Sequence, residues 1–153
     1  MKITRKAALA MSVLLLLALP GTGLGQTSLP ERVARLDTDH PGAFFPGTKG
    51  QAFTSLRLDR PDGRICYRLS FKDFELRALS IYRDGADEVS DQYVKLYDEA
   101  PTTASPVKGC VSVKDGEVTR EQINALRRHP ERFYALASEY DGDEIAGDLR
   151  RLR

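Results

Sequence analysis

The stretch "DGRICYRLSF", residues 62–71, places Ile65, Tyr67, Leu69 and Phe71 on one side of an extended chain and Cys66, Arg68 and Ser70 on the other. Alternation with a period of two, carried by β-branched, aromatic and aliphatic residues, is the pattern of a strand buried on one face. Just before it, "DRPDG" at 59–63 joins a proline to Asp-Gly, a turn chemistry that folds the chain back on "AFTSLRL" at 52–58 as a hairpin. Outward from this pair, "LRALSIYR" (76–83), "YVKLYD" (93–98), "GCVSV" (109–113), "FYALAS" (133–138) and "DEIAGDL" (143–149) read as further short strands. Seven such runs separated by turn residues predict an all-β sandwich or barrel, and the pattern leaves the topology open.

One segment has a different period. In "TREQINALRRHP", 119–130, Thr119 and Gln122 have capping-box spacing, Ile123 and Leu126 share a helical face, and Pro130 ends the run. The closing stretch "EYDGDEIAGDLRRLR", 139–153, carries Asp141, Asp143, Glu144 and Asp148. A calcium loop of the EF-hand type needs oxygen ligands at its first, third and fifth positions and glycine at its sixth. Counting from Asp141, the fifth position is Ile145 and the glycine comes seventh, so that reading fails. Strand alternation instead sets Glu144, Ala146 and Asp148 on an outward face, and Arg150, Arg151 and Arg153 follow as a solvated basic tail.

At the other end, Lys2, Arg5 and Lys6 precede the apolar run "AALAMSVLLLLALP", and the small residues of "GTGLGQ" follow. This is the layout of a signal peptide over residues 1–25, cut near Gly25/Gln26. Its apolar core falls short of the roughly 20 residues a membrane span requires, and no second run long enough occurs, so no span is expected after cleavage. Cleavage removes three of 23 basic residues and none of 22 acidic ones, leaving 128 residues with a formal charge of −2. That balance excludes a strongly basic nucleic-acid binder, and the length suits a single domain. An irregular lead-in over 26–46, with Pro30, Pro41 and Pro46, precedes the strand-rich domain at 47–153. A secreted or periplasmic location is oxidising, which favours pairing of Cys66 with Cys110. Closing a loop of that length stabilises the fold by about 4 kcal/mol in the chain-entropy description.

The order of "DGRICYRLSF", "GCVSV", a short helix and "ERFYALASEYDGDEIAGDL" resembles the chordin-type (CHRD) domain of bacterial secreted proteins and of the animal extracellular protein chordin, over roughly residues 47–150. The resemblance implies an antiparallel β-sandwich, immunoglobulin-like or superoxide-dismutase-like, with one short inserted helix and with the family's two cysteines at Cys66 and Cys110. It also implies an exported, non-catalytic binding or envelope-associated module, whose partner would be an extracellular or envelope protein or a glycan. Family members commonly carry an "A-H-I-H" strand and a further histidine near the end. This chain has "LSIY" (79–82), with Ser80 and Tyr82, and "YALAS", with Ser138, in the corresponding places. The imidazole cluster that would hold a transition metal is absent, and the two histidines, His40 and His129, lie far apart in sequence.

No G-x-S-x-G elbow or cysteine nucleophile beside a histidine is present, so an enzyme is not expected, and no cofactor is implied. An alternative is a metal-binding sandwich. Asp84, Asp87, Glu88 and Asp91 in "RDGADEVSDQY" are spaced so that several could face one calcium or similar ion, although the same residues are ordinary turn formers. Tyr82, Tyr93 and Tyr97, with Tyr134 and Tyr140, are candidates for a binding surface, because tyrosine covers large area while keeping a polar tip.

Overall fold

Strands and one helix follow one another as β1 (Arg32–Leu36), β2 (Gln51–Asp59), β3 (Arg64–Lys72), β4 (Leu76–Arg83), β5 (Asp91–Thr102), β6 (Val107–Ser112), α1 (Arg120–Arg128), β7 (Phe133–Ser138), β8 (Glu144–Asp148) and β9 (Arg150–Arg151). A 3-10 turn over Pro130–Arg132 leads into β7. This is a computed structural model, and it describes residues 32–43, 50–85, 91–139 and 142–152. The expected signal peptide and the candidates Asp87, Glu88 and Tyr140 lie outside the described residues.

Two antiparallel sheets pack as a sandwich, one in the order β6-β3-β2-β1-β9 and the other in the order β5-β4-β7-β8. The expected hairpin forms: β2 and β3 pair with Arg57 opposite Cys66, and Gly63 takes the positive φ that the turn requires. Leu36, Leu56, Ile65 and Leu69 from the first sheet meet Leu76, Leu79, Ile81 and Ile145 from the second. Each side chain of this kind contributes roughly 1.5–3 kcal/mol when fully buried. The helix also forms as expected. Thr119 Oγ1 accepts the Gln122 N–H at 3.1 Å, Gln122 Oε1 accepts the Thr119 N–H at 2.7 Å, and Ile123 and Leu126 enter the core.

Three segments differ from their sequence reading. The lead-in over 26–46, read as irregular, contains β1, which pairs with β2 along its whole length. Its Arg32, Ala34 and Leu36 point inward, and a five-residue run with arginine at both inner and outer positions has too little alternation to stand out. The basic tail at 150–151 is β9, paired with β1 through Arg32 and Arg151. Finally, β5 runs on through Pro101 to Thr102, where a loop was expected. Strand β5 is an edge strand, the place in a sheet where proline is tolerated.

The two sheets meet at one corner. Asp37 and Ala146 exchange both backbone hydrogen bonds at 2.9 Å, and Gly147 lies so close under β1 that a Cβ there would sit 1.8 Å from the Arg35 carbonyl oxygen. Beyond Asp37 the chain folds over the outside of the second sheet, where Ala43 packs with Tyr134, Leu136 and Ala146. Ala146, expected on a solvated face between Glu144 and Asp148, is therefore buried. Cys66 and Cys110 are bonded to each other, directly opposite on β3 and β6 with Cα atoms 4.0 Å apart.

Candidate anion-binding cleft

Helix α1 ends with Arg127 and Arg128, and its last carbonyls carry the negative end of the helix dipole. Two arginines from the sheet edge answer them. Arg32 begins β1 on the inward side, is only 6% exposed, and donates through Nε to the Leu126 carbonyl at 3.1 Å and through its terminal nitrogen to the Arg127 carbonyl. Its register partner Arg151 donates to the Arg128 carbonyl at 3.2 Å and, more weakly, to that of Arg127 at 3.5 Å. A buried guanidinium is costly unless it is hydrogen-bonded, and the free carbonyls of a helix end meet that need.

Capping leaves cationic surface to spare. Arg60, in the β2–β3 turn, is tied to the helix start by the Arg120 guanidinium, which donates to the Arg60 carbonyl at 3.0 Å. Together Arg32, Arg60, Asn124, Arg127, Arg128 and Arg151 line a cleft of about 740 Å³, and none of its lining residues is acidic. Among the described residues, no carboxylate stands within ion-pairing distance of Arg60, Arg127 or Arg128. At the rim, His129 Nδ1 lies 3.3 Å from Glu131. The Glu131 carboxyl is held below its usual range, first by its own backbone N–H and then by the hydrogen bond with His129. Guanidinium forks match the geometry of carboxylate, sulfate and phosphate oxygens, so the arrangement suits an anion.

A second polar group gathers on the outside of the second sheet. His40 Nδ1 accepts the Gly42 N–H at 2.9 Å, which places the ring proton on Nε2, and Nε2 donates to Asp148 Oδ1 at 2.8 Å. Both ring nitrogens are thus engaged, and neither is left to serve as a base for a nucleophile. The ring also leans on Tyr134, with centroids 5.1 Å apart.

No family model, curated protein or solved structure matches the chain.

The residues singled out in the sequence are dispersed. Asp84 follows the end of β4 and its N–H donates to the Arg132 carbonyl, while Asp91 opens β5 opposite Arg83. Among the described residues no group of three or more His, Cys, Asp or Glu side chains is gathered as metal ligands. Tyr82 stacks on Tyr134, its partner across β4 and β7, with centroids 5.6 Å apart. Tyr93 is half-buried against Phe133 at 4.7 Å, with the Arg83 guanidinium 4.6 Å over its ring. Tyr97 is buried, and its hydroxyl donates to the Ala100 carbonyl at 3.0 Å. A register shift between Leu79 and Ser80 accompanies the burial of both Leu96 and Tyr97 on neighbouring β5, so strict alternation fails there. The three tyrosines do not form one exposed face.

Arg32 was invisible as a site residue because it sits in a segment without motif, and Arg60 because the "DRPDG" around it is accounted for by the turn alone. A local signal did exist at Arg127 and Arg128, two cations in the last turn of a helix, where their usual role is to complement the dipole.

Proposed function

We propose that the chain is an exported, non-catalytic CHRD-type binding module that takes a glycan bearing carboxylate or sulfate groups in the arginine cleft. The carrying observation is the cleft itself, in which five arginines converge from β1, the β2–β3 turn, α1 and β9 with no acidic residue among them. Export is supported by the basic and apolar N-terminus and by the disulfide, since paired cysteines belong to oxidising compartments. Among the described residues no helix is long and apolar enough to cross a membrane. The non-catalytic reading rests on the engagement of both His40 nitrogens.

Titration calorimetry of the mature chain with a uronate oligosaccharide tests the reading. Arg60→Ala together with Arg128→Ala spares the caps from Arg32 and Arg151, and should weaken binding by roughly a hundredfold if each arginine makes a charge-assisted contact. Undiminished affinity in that double variant, or no binding by the parent, would sink the proposal.

A further inference from the structure

The outward face of the five-stranded sheet is basic from edge to edge. Strand register places Arg35 of β1, Arg57 of β2, Arg64 and Arg68 of β3, Lys108 of β6 and Arg150 of β9 on this side. The acid in the same rows, Asp59, is engaged by Arg64 at 3.6 Å; Arg64 also pairs with Asp62, and at the β9 edge Arg150 lies 3.8 Å from Asp148. Arg68 and Lys108 stand directly opposite each other across β3 and β6, and among the described residues neither has a carboxylate partner. Like charges facing each other across a strand pair destabilise it. The Arg68–Lys108 pair is therefore held on this face at a cost to the fold.

That surface also carries an exposed aromatic ring. Phe53, opposite Arg35 on one side and Ser70 on the other, is 48% exposed, the larger exposure of the two big apolar residues that reach solvent among the described residues. The face is separate from the cleft. At the register where Arg32 and Arg151 turn inward toward the helix, Val33 and Arg150 turn outward. With strands about 4.8 Å apart, the array from β6 to β9 extends over roughly 19 Å.

We infer that this face docks on an anionic lipid bilayer, with Arg35, Arg68, Lys108 and Arg150 over the headgroups and the Phe53 ring in the interface. The cations are spread across five strands rather than aligned in a groove, which suits a two-dimensional surface better than a single polymer chain. Basic side chains near such a surface add attraction residue by residue, and an aromatic ring at headgroup depth anchors the contact.

Arg68→Glu separates docking from folding, because it replaces a like-charge pair by an opposite-charge pair with Lys108. The melting temperature of the variant should equal or exceed that of the parent. In cosedimentation, the mature parent should bind vesicles of phosphatidylcholine with phosphatidylglycerol and leave vesicles of phosphatidylcholine alone. Arg68→Glu should lower that partition about tenfold or more, and Phe53→Ala should lower what remains at high salt. The Arg60→Ala/Arg128→Ala variant should bind vesicles like the parent, which distinguishes this face from the cleft. Equal binding to both vesicle types, no binding to either, or parent-like binding by Arg68→Glu would overturn the inference. So would binding to a uronate polymer lost in Arg68→Glu while vesicles stay unbound, which would assign the face to a glycan.

Discussion

His40 Nε2 donates to Asp148 Oδ1 at 2.8 Å, joining residues 108 positions apart and pinning the segment after β1 to the end of β8. The same ring accepts the Gly42 N–H and rests on Tyr134, so one side chain holds the flap over the second sheet in three ways. His40→Ala should therefore speed amide exchange at Gly42 and lower stability by about 1–2 kcal/mol, the worth of one or two hydrogen bonds. Unchanged exchange at Gly42 would show that Ala43 packing holds the segment without the imidazole.

Cys66→Ser should lower the unfolding free energy by up to about 4 kcal/mol, because the bond closes a loop between residues 44 positions apart. Cys110 is exposed, so a reductant in solution can reach the bond in the folded chain. The parent's melting temperature should fall with reductant, whereas that of the variant should not. Equal sensitivity in both would contradict the assignment.

Thr54 is fully buried in β2, and among the described residues its hydroxyl has no hydrogen-bond partner. Valine has the same shape without the polar atom, so Thr54→Val should stabilise the fold by roughly 1 kcal/mol, read as a higher denaturant midpoint at unchanged slope. A lower midpoint would mean that the hydroxyl is satisfied in solution.

Burial, and secondarily the charge of Glu99, raises the Tyr67 phenol above its ordinary value of 10.0, and burial does the same for Tyr82, aided by Glu144. Above that ordinary value the unfolded chain sheds phenolic protons that the folded chain retains. The stability present below pH 10.0 is then lost progressively as the pH rises through the folded values. Denaturant midpoints should fall on that alkaline limb, and Tyr67→Phe should flatten it. Parallel limbs for the variant and the parent would remove Tyr67 from the account.

Local chemistry was legible where it was self-contained. The β2–β3 hairpin announces itself through alternation and Pro-Asp-Gly, and α1 through Thr119 and Gln122, because every interaction that defines them lies within a few residues. Strands β1 and β9 were not legible. They are five and two residues long, arginine-rich, and exist by pairing with each other and with β2. The alternation in β8 was read correctly for Ile145 and missed the burial of Ala146, which depends on a segment about 100 positions earlier in the chain.

The sequence by itself determined that this chain is built mainly of short strands with one short helix among them, and which two cysteines could pair, since periodicity, turn residues and composition act locally. Only the tertiary structure decided that Arg32, Arg60, Arg128 and Arg151 share a cleft, that Arg68 faces Lys108, and that His40 reaches Asp148. Each of these depends on strand register and on how the sheets meet, quantities set by the packing of the whole core.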